Sequence, residues 1–501
     1  MKKALISVFL LLVFSSFAHS ELNIELLRQL YGENDGDRFG HCVANLGDIN
    51  GDGFEDFGVG APYYPEWTDT GRVYIYFGGD PIDLEVDMVI DPPTGLEFFG
   101  HVVCRIDDVS GDGVGELLVS ATEWFMSGKV FLYFGGEELD DEPDMVFHET
   151  DDHIFGYPIA TGDVNNDGFP DLVSAFAGYT DYMYVYLGSE EMDTIPDFTL
   201  YGGQLGMNGI AVGDVNGDSY DDIFTHATKP PEIYEAFLFF GRDSLHSEPD
   251  LVFPHPAIKP EIGDVNADGY GDIITLYRFH YGGEVIDTVY DVWLSKARLS
   301  PTVGKFNTDR YGDIVCGWSD PLGFNKSQHI YLGGAELDTL RDWSLYGGTW
   351  WNLGYDIAAV DLNADGVDEF LLGAPYYPDE PIRRGMVQVY TGDTTATSVE
   401  DAPGTLPEEI FLFQNYPNPF NSSTMVRFRV GNAFPTQVSL TVYDVQGRLV
   451  KELFDKPAIP GMNRVIWDGT NEAGEQVTSG VYFISLESTY FRQTQKAIFM
   501  K

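Results

Sequence analysis

The sequence predicts an all-β chain: a seven-bladed β-propeller with calcium-binding hairpin loops, followed by a small immunoglobulin-like β-sandwich. Three observations predict it. An acidic stretch, first written GDINGDGFED from Gly47, recurs in seven variants. Each copy stands in a frame of about four short strand-like runs separated by turn residues. No stretch with a helical period recurs.

The first element is a leader. Lys2 and Lys3 precede an apolar run from Ala4 to Val13, and Ala18 and Ser20 supply small residues at cleavage offsets. Residues 1–20 therefore read as a secretory signal peptide. The apolar run, about ten residues, is too short to span a bilayer easily, and no later stretch in the sequence approaches a spanning length. The next segment, NIELLRQLYG, has two readings. It is an outer strand that completes the last blade and closes the ring, hiding edges that invite aggregation. Alternatively it is a short helix, because ELLRQL is a good helix former. The first is preferred, because the seventh unit lacks an outer strand of its own.

The repeat follows, over residues 21–395. Upstream of each acidic loop lies a Phe-Gly-type segment: Phe39-Gly40, Phe99-Gly100, Phe155-Gly156 and, more weakly, Gly354-Tyr355. Downstream come apolar runs such as FGVGAPYY and FLLGAPYY, then RVYIYFGG or MVQVYTGD, then DMVIDP or DWSLYG. Val73, Ile75 and Phe77 alternate with Tyr74 and Tyr76, the two-residue period of a sheet. Four strands in about fifty residues describe a propeller blade. A single sheet of this kind cannot bury both faces; a ring of seven can.

The loops carry the chemistry. Candidate ligands stand at positions 1, 3, 5, 7 and 9 of each loop, position 7 through its carbonyl. They are Asp48, Asn50, Asp52, Phe54 and Asp56; Asp108, Ser110, Asp112, Val114 and Glu116; Asp163, Asn165, Asp167, Phe169 and Asp171. The series continues with Asp214, Asn216, Asp218, Tyr220 and Asp222; Asp264, Asn266, Asp268, Tyr270 and Asp272; and Asp361, Asn363, Asp365, Val367 and Glu369. Carboxylates this close repel one another without a cation. Hard oxygen ligands with a glycine at position 6 suit Ca2+; Mg2+ prefers fewer protein ligands, and Zn2+ wants Cys or His. About six structural ions are expected. The sixth loop has Lys305 at position 1 and Arg310 at position 6, so residues 305–313 are expected to bind weakly or not at all. Lys305 is expected to neutralise Asp309 and Asp313 instead. Ser219, at the glycine position of the fourth loop, is expected to strain that turn.

The Phe-Gly starts, the acidic loops and the Gly60-Ala61-Pro62 and Gly373-Ala374-Pro375 triplets together resemble the FG-GAP repeat of integrin alpha-chain propellers, over about residues 25–395. The resemblance implies seven blades, calcium on one rim and partner recognition on the opposite face. A fold does not transfer a ligand.

Residues 396–408 are polar and proline-containing and read as a linker. In residues 409–501, Val426, Phe428 and Val430 alternate with Arg427 and Arg429, a hairpin is expected around Gln446-Gly447, and Trp467 is expected in the core of a small sandwich. The run Asn415-Tyr416-Pro417-Asn418-Pro419-Phe420-Asn421 suits a rigid entry turn. With Trp467-Asp468-Gly469, Gly480-Val481-Tyr482 and the terminal KAIFMK, it resembles the C-terminal sorting domain of the type IX secretion system. Such domains are similar to the immunoglobulin-like part of flagellar hook-capping proteins. That resemblance implies transfer across the outer membrane of a Gram-negative bacterium, then release or surface attachment.

The formal charge is −52, and −54 without the two leader lysines, which disfavours nucleic acid and anionic membranes as partners. Three cysteines make no disulfide framework. Cys42 and Cys104 pair only if adjacent strands bring them together; buried free thiols are the preferred reading, and Cys316 reads as core. His101, His226, His280 and Glu123 form no recognisable catalytic constellation, and repetition accounts for His41 and His101, which share the position after Phe-Gly. The preferred function is a non-enzymatic binding or adhesion protein with a protein or glycan ligand on a propeller face. Aromatics in loop-like stretches, Tyr63-Tyr64, Trp67, Trp124-Phe125, Trp350-Trp351 and Tyr376-Tyr377, serve that ligand or pack between blades. The alternatives are a polysaccharide lyase or hydrolase, and a purely structural envelope component.

Overall fold

The computed structural model describes residues 22–393 and 411–500. Excepted are segments 66–69, 94–96, 123–127, 137–138, 149–153, 178–181, 190–191, 203, 230–232, 295–298, 320–325, 338, 340, 348–351, 378–382, 413–414, 416–417, 431–435, 459–460 and 489–490. The leader, the linker, Glu123 and the aromatics Trp67, Trp124, Phe125, Trp350, Trp351 and Tyr416 lie outside the described residues. The chain divides into two compact units, Met1–Ser398 and Val399–Lys501.

The first unit is built from four-stranded antiparallel sheets, seven among the described residues. The first sheet runs Cys42–Gly47, Asp56–Gly60, Val73–Tyr76 and Met88–Ile90, in chain order. The following sheets open with the strands Phe99–Ile106, Ile154–Gly162, Gln204–Gly213, Glu261–Gly263, Leu299–Gly304 and Ile357–Val360. Each acidic loop is the hairpin between a sheet's first and second strands. This repetition of one small sheet is a propeller-like architecture.

Alternation explains how one sheet serves two cores. Leu371 packs with Phe57, Val59 and Val387, while its neighbours Phe370 and Leu372 pack with Val315 and Ile330. The same division holds along the chain, so apolar cores lie between consecutive sheets. One core joins the first sheet to the last, through Phe57 and Val59 against Leu371 and Val387. Full burial of a side chain such as Phe57 contributes about 1.5–3 kcal/mol.

The Phe-Gly and Gly-Ala-Pro motifs meet at these seams. Phe99, fully buried, pairs with Gly71 of the preceding sheet, and Phe39 pairs with Gly385 of the last sheet in the same way. A Cβ on Gly60 would come within 2.0 Å of the Gly100 carbonyl oxygen, and one on Gly373 within 2.3 Å of the Gly40 oxygen. The glycines let the backbones of adjacent sheets touch. A second seam runs through the loops. Gly79 N donates to Leu362 O, Gly136 N to Ile49 O and Gly283 N to Val215 O. Position-8 acids add to it: Glu55 accepts from Asp361 N, Asp221 from Asp163 N and Asp368 from Lys305 N.

The N-terminal segment is a strand, not the alternative helix. Leu26–Tyr31 pairs antiparallel with Met386–Tyr390 and completes the seventh sheet, whose order is Leu26–Tyr31, Met386–Tyr390, Glu369–Ala374, Ile357–Val360. Asn23 N donates to Asp393 Oδ2 at 2.7 Å, and Thr391 N to Glu25 O. Helix propensity loses because the strand satisfies a whole row of edge hydrogen bonds. The three cysteines are free thiols, Cys42 and Cys316 buried and Cys104 half-buried.

The second unit packs a three-stranded sheet (Phe411–Leu412, Thr424–Val430, Gly461–Trp467) on a four-stranded one (Leu449–Ala458, Thr436–Asp444, Gly480–Ser488, Phe491–Phe499). Asp444 and Arg448 close the hairpin at Gln446-Gly447, where Gly447 has φ +76°. Trp467 is fully buried against Phe420 and Tyr482, and its indole N–H donates to Thr470 O. Among the described residues no helix is long and apolar enough to cross a membrane.

Candidate functional site

The first strands of the sheets end at the acidic loops. In the first loop, Asp48 accepts amide bonds from Gly51 and Asp52 through Oδ1 and from Gly53 through Oδ2, at 2.7–2.9 Å. Asp52 N also donates to Asn50 Oδ1, and Phe54 N to Asp52 Oδ1. Asp163, Asp264 and Asp361 repeat the position-1 bonds to the amides of positions 5 and 6. Asp214 and Asp108 bond the amides of positions 4 and 6. The backbone carries left-handed residues at positions 4 and 6 of all six loops, for example Gly51 and Gly53, Asn166 and Gly168, Ala364 and Gly366. Ser219 holds φ +72°, the left-handed conformation expected to strain a serine.

Position 9 behaves differently. Asp56, Glu116, Asp171, Asp222 and Asp272 are fully buried and Glu369 nearly so. Each accepts the amide of position 2: Ile49, Val109, Val164, Val215, Val265 and Leu362. In the four aspartates Asp56, Asp171, Asp222 and Asp272 the second oxygen accepts a glycine amide from beyond the third strand: Gly78, Gly188, Gly241 and Gly282. These acids staple two hairpins together. Burial raises Asp56, Asp171 and Asp222 to about 7, and the carboxylates at positions 1 and 5 add to that.

Among the described residues no three His, Cys, Asp or Glu side chains converge as a metal cluster. The loop oxygens are instead turned onto loop amides. As a donor set, carboxylate and amide oxygens around a doubly left-handed turn fit a hard cation, with positions 1 and 5 exposed or half-buried at its surface, and position 3 likewise except in the fifth loop, where Asn266 is buried.

The sixth loop departs in backbone as well as sequence: neither Thr308 nor Arg310 is left-handed. Asp313 still acts as the staple, accepting from Phe306 and Gly333. The expected neutralisation by Lys305 does not occur. Its side chain pairs with neither Asp309 nor Asp313; Asp313 is buried and bonded to amides, out of reach of an exposed ammonium.

The opposite ends of the same strands enclose a cavity of about 500 Å³, lined from all seven sheets. His41 and His101 meet there with ring centroids 4.7 Å apart, and His101 packs edge-on against Tyr157 at 4.6 Å. Lys259 Nζ donates to Ser300 Oγ, Tyr355 O and Asp356 Oδ1 at 2.8–3.0 Å, tying three sheets together. Asp356 also accepts Val43 N. Burial holds the His41 imidazole well below its usual pKa and His101 at about 4, with the Lys259 and Arg38 charges acting the same way. Nδ1 of each ring is enclosed without a hydrogen-bond partner. Burial lifts the Glu261 carboxyl to about 8, with Asp356 adding to it. At the mouth, the Arg38 guanidinium lies 3.7 Å from the Tyr63 ring centre and 5.1 Å from that of Tyr376.

Sequence reasoning missed this cavity. Its signal was the residue after the glycine of the four named segments, His41, His101, Tyr157 and Tyr355, each of them aromatic. His226 and His280 lie elsewhere: His226 Nε2 bonds Thr228, and His280 bonds His255 at 3.1 Å.

The FG-GAP repeat family matches residues 43–76 and 353–395, an FG-GAP-like repeat matches 163–225, and a FlgD Ig-like domain matches 420–490. Integrin alpha-PS5 of Drosophila melanogaster is 31% identical over 176 residues, which is 32% of this chain and 17% of that protein. Phosphatidylinositol-glycan-specific phospholipase D of Bos taurus is 34% identical over 146 residues, 25% of this chain and 17% of that protein. The chain spans less than a fifth of the length of these curated relatives. PorZ, a surface component of the type-IX secretion system of Porphyromonas gingivalis, aligns over 95% of this chain and 61% of its own at 12% identity, with a TM-score of 0.37. That likeness is too low to carry an argument.

Proposed function

We propose, from the premise that this chain carries FG-GAP repeats and ends in a FlgD Ig-like domain, that it is an exported, non-enzymatic binding protein. Residues 21–395 form a closed seven-bladed propeller stabilised by about six calcium ions. Residues 409–501, beyond a linker at 396–408, act as the sorting domain that engages a type IX secretion machinery. The mature chain then works at the outer-membrane surface of a Gram-negative bacterium or is released from it. One observation carries the reading: a single cavity is lined by the first strand, or the residues just before it, of every sheet from first to last. Strands from all seven sheets reach one cavity when they surround a common axis. The core and hydrogen bonds between the first and seventh sheets support the same closure.

The loop end is the architectural rim and the cavity end is the recognition face. The test is an array of glycans and extracellular proteins probed with the mature chain, with calcium and with chelator. Binding without release of sugar supports the reading. Sugar release from a bound polysaccharide replaces it with the lyase or hydrolase reading, and silence across the array favours a structural role.

A further inference from the structure

We infer that the cavity ringed by the seven first strands is a subsite for one neutral pyranose residue of a glycan; the inference rests on the binding role proposed above and names the ligand class. Its size suits a small ligand, since such pockets run to roughly 300–1,000 Å³. Its walls offer what a sugar ring needs. Tyr157, His41 and His101 line it as a cluster of packed rings, the kind of surface on which the C–H side of a pyranose stacks. The Glu261 carboxyl, the Tyr157 hydroxyl and the Asn352 side-chain amide line the cavity and make no hydrogen bond among the described residues. Such groups, set beside the packed rings, fix the orientation of a ligand rich in hydroxyls.

Charge selects among sugars. Lys259 is the cation in the wall, and its three donors are already taken by Ser300, Tyr355 and Asp356. Among the residues that line the cavity no positive group is left for a uronate or a sulfate, because the one ammonium is already paired with Asp356. A buried anion without a partner is disfavoured, so acidic sugars are excluded and a neutral ring is accepted.

The experiment uses the full mature chain in calcium. Saturation-transfer NMR and calorimetry are run with the methyl glycosides of glucose, galactose, mannose and N-acetylglucosamine, and with glucuronate. At least one neutral glycoside is expected to bind at about 1 mM or tighter, and glucuronate about tenfold more weakly than the best neutral ring. Glu261→Leu and Tyr157→Leu should each weaken the neutral glycoside about tenfold, and Glu261→Gln should retain it. Tyr157→Phe serves as the milder variant if Tyr157→Leu fails to fold. Absence of every neutral glycoside, preference for glucuronate, or binding indifferent to Tyr157 and Glu261 overturns the inference. The array separates this from failure of the binding role: a ligand captured there with unchanged affinity in the Tyr157 and Glu261 variants leaves the role standing and removes the cavity from it.

Discussion

The two ends of the seven first strands follow opposite rules. At the loop end, nearly the same residues return in six of the seven copies, and position 9 accepts the amide of position 2 in all seven. At the cavity end, the residues differ from sheet to sheet: His41, His101, Tyr157, Lys259, Ser300 and Tyr355 occupy comparable places. Repetition marks what every sheet needs in order to close against its neighbour. Variation marks what the seven sheets do together, at the cavity they share.

The largest expected effect tests the loop end as a whole. Stripping calcium with a chelator should lower the melting temperature by about 10 °C or more, because several sites each add binding energy to the folded state. A melting curve indifferent to chelator, with no calcium in the purified protein by elemental analysis, would break the architectural reading of that end.

The second separates staple from ligand. In calcium-free urea titrations, Asp171→Ala should destabilise by about 2–4 kcal/mol, because it leaves the buried amides of Val164 and Gly188 unbonded. Asp167→Ala, at an exposed position of the same loop, should stay within about 1 kcal/mol until calcium is added. Equal losses would show that position 9 has no separate structural role.

The third probes the cavity end. His41 and His101 face each other, with Lys259, Arg38, Tyr157 and Tyr355 around them. Their folded pKa values are lowered, so the unfolded chain binds more protons. The contribution is present above about pH 6.5 and is lost as pH falls towards about 4. His101→Leu should flatten the stability profile across that window by roughly 1–3 kcal/mol relative to the parent. Parallel profiles for parent and variant would remove the imidazole from the account.

The smallest effect is a gain. Lys305→Asp combined with Arg310→Gly should restore a sixth-loop site and raise the calcium count by about one ion per chain, with a stability gain of about 1–3 kcal/mol at saturating calcium. An unchanged count would mean that the backbone at Thr308, not the charge at Lys305, keeps that loop apart.

How much of this was legible follows the same division. The loops, the seam glycines and the N-terminal strand could be read because each is repeated, or is the one piece missing from a repeat. Trp467 and the Gln446-Gly447 hairpin were legible from local alternation and turn chemistry. The staple role of Asp56 and Asp171 was not, because a carboxylate that binds amides and one that binds a cation share the same letter. The cavity was least legible. Lys259 and Asp356 are 97 residues apart and become partners only through the tertiary fold. Repetition accounts for His41 and His101 in the sequence, and the same recurrence on neighbouring sheets brings their rings together.

The strand Leu26–Tyr31 has a consequence for how the molecule is made. Asn23 finds its partner Asp393 some 370 residues later in the chain. Pairings of such separation form late, because the intervening chain must be ordered first. Until synthesis reaches Met386–Tyr390, the opening segment has no sheet to join, and the unit keeps one unpaired margin at each end. The first unit is therefore complete only when its opening and closing strands have met.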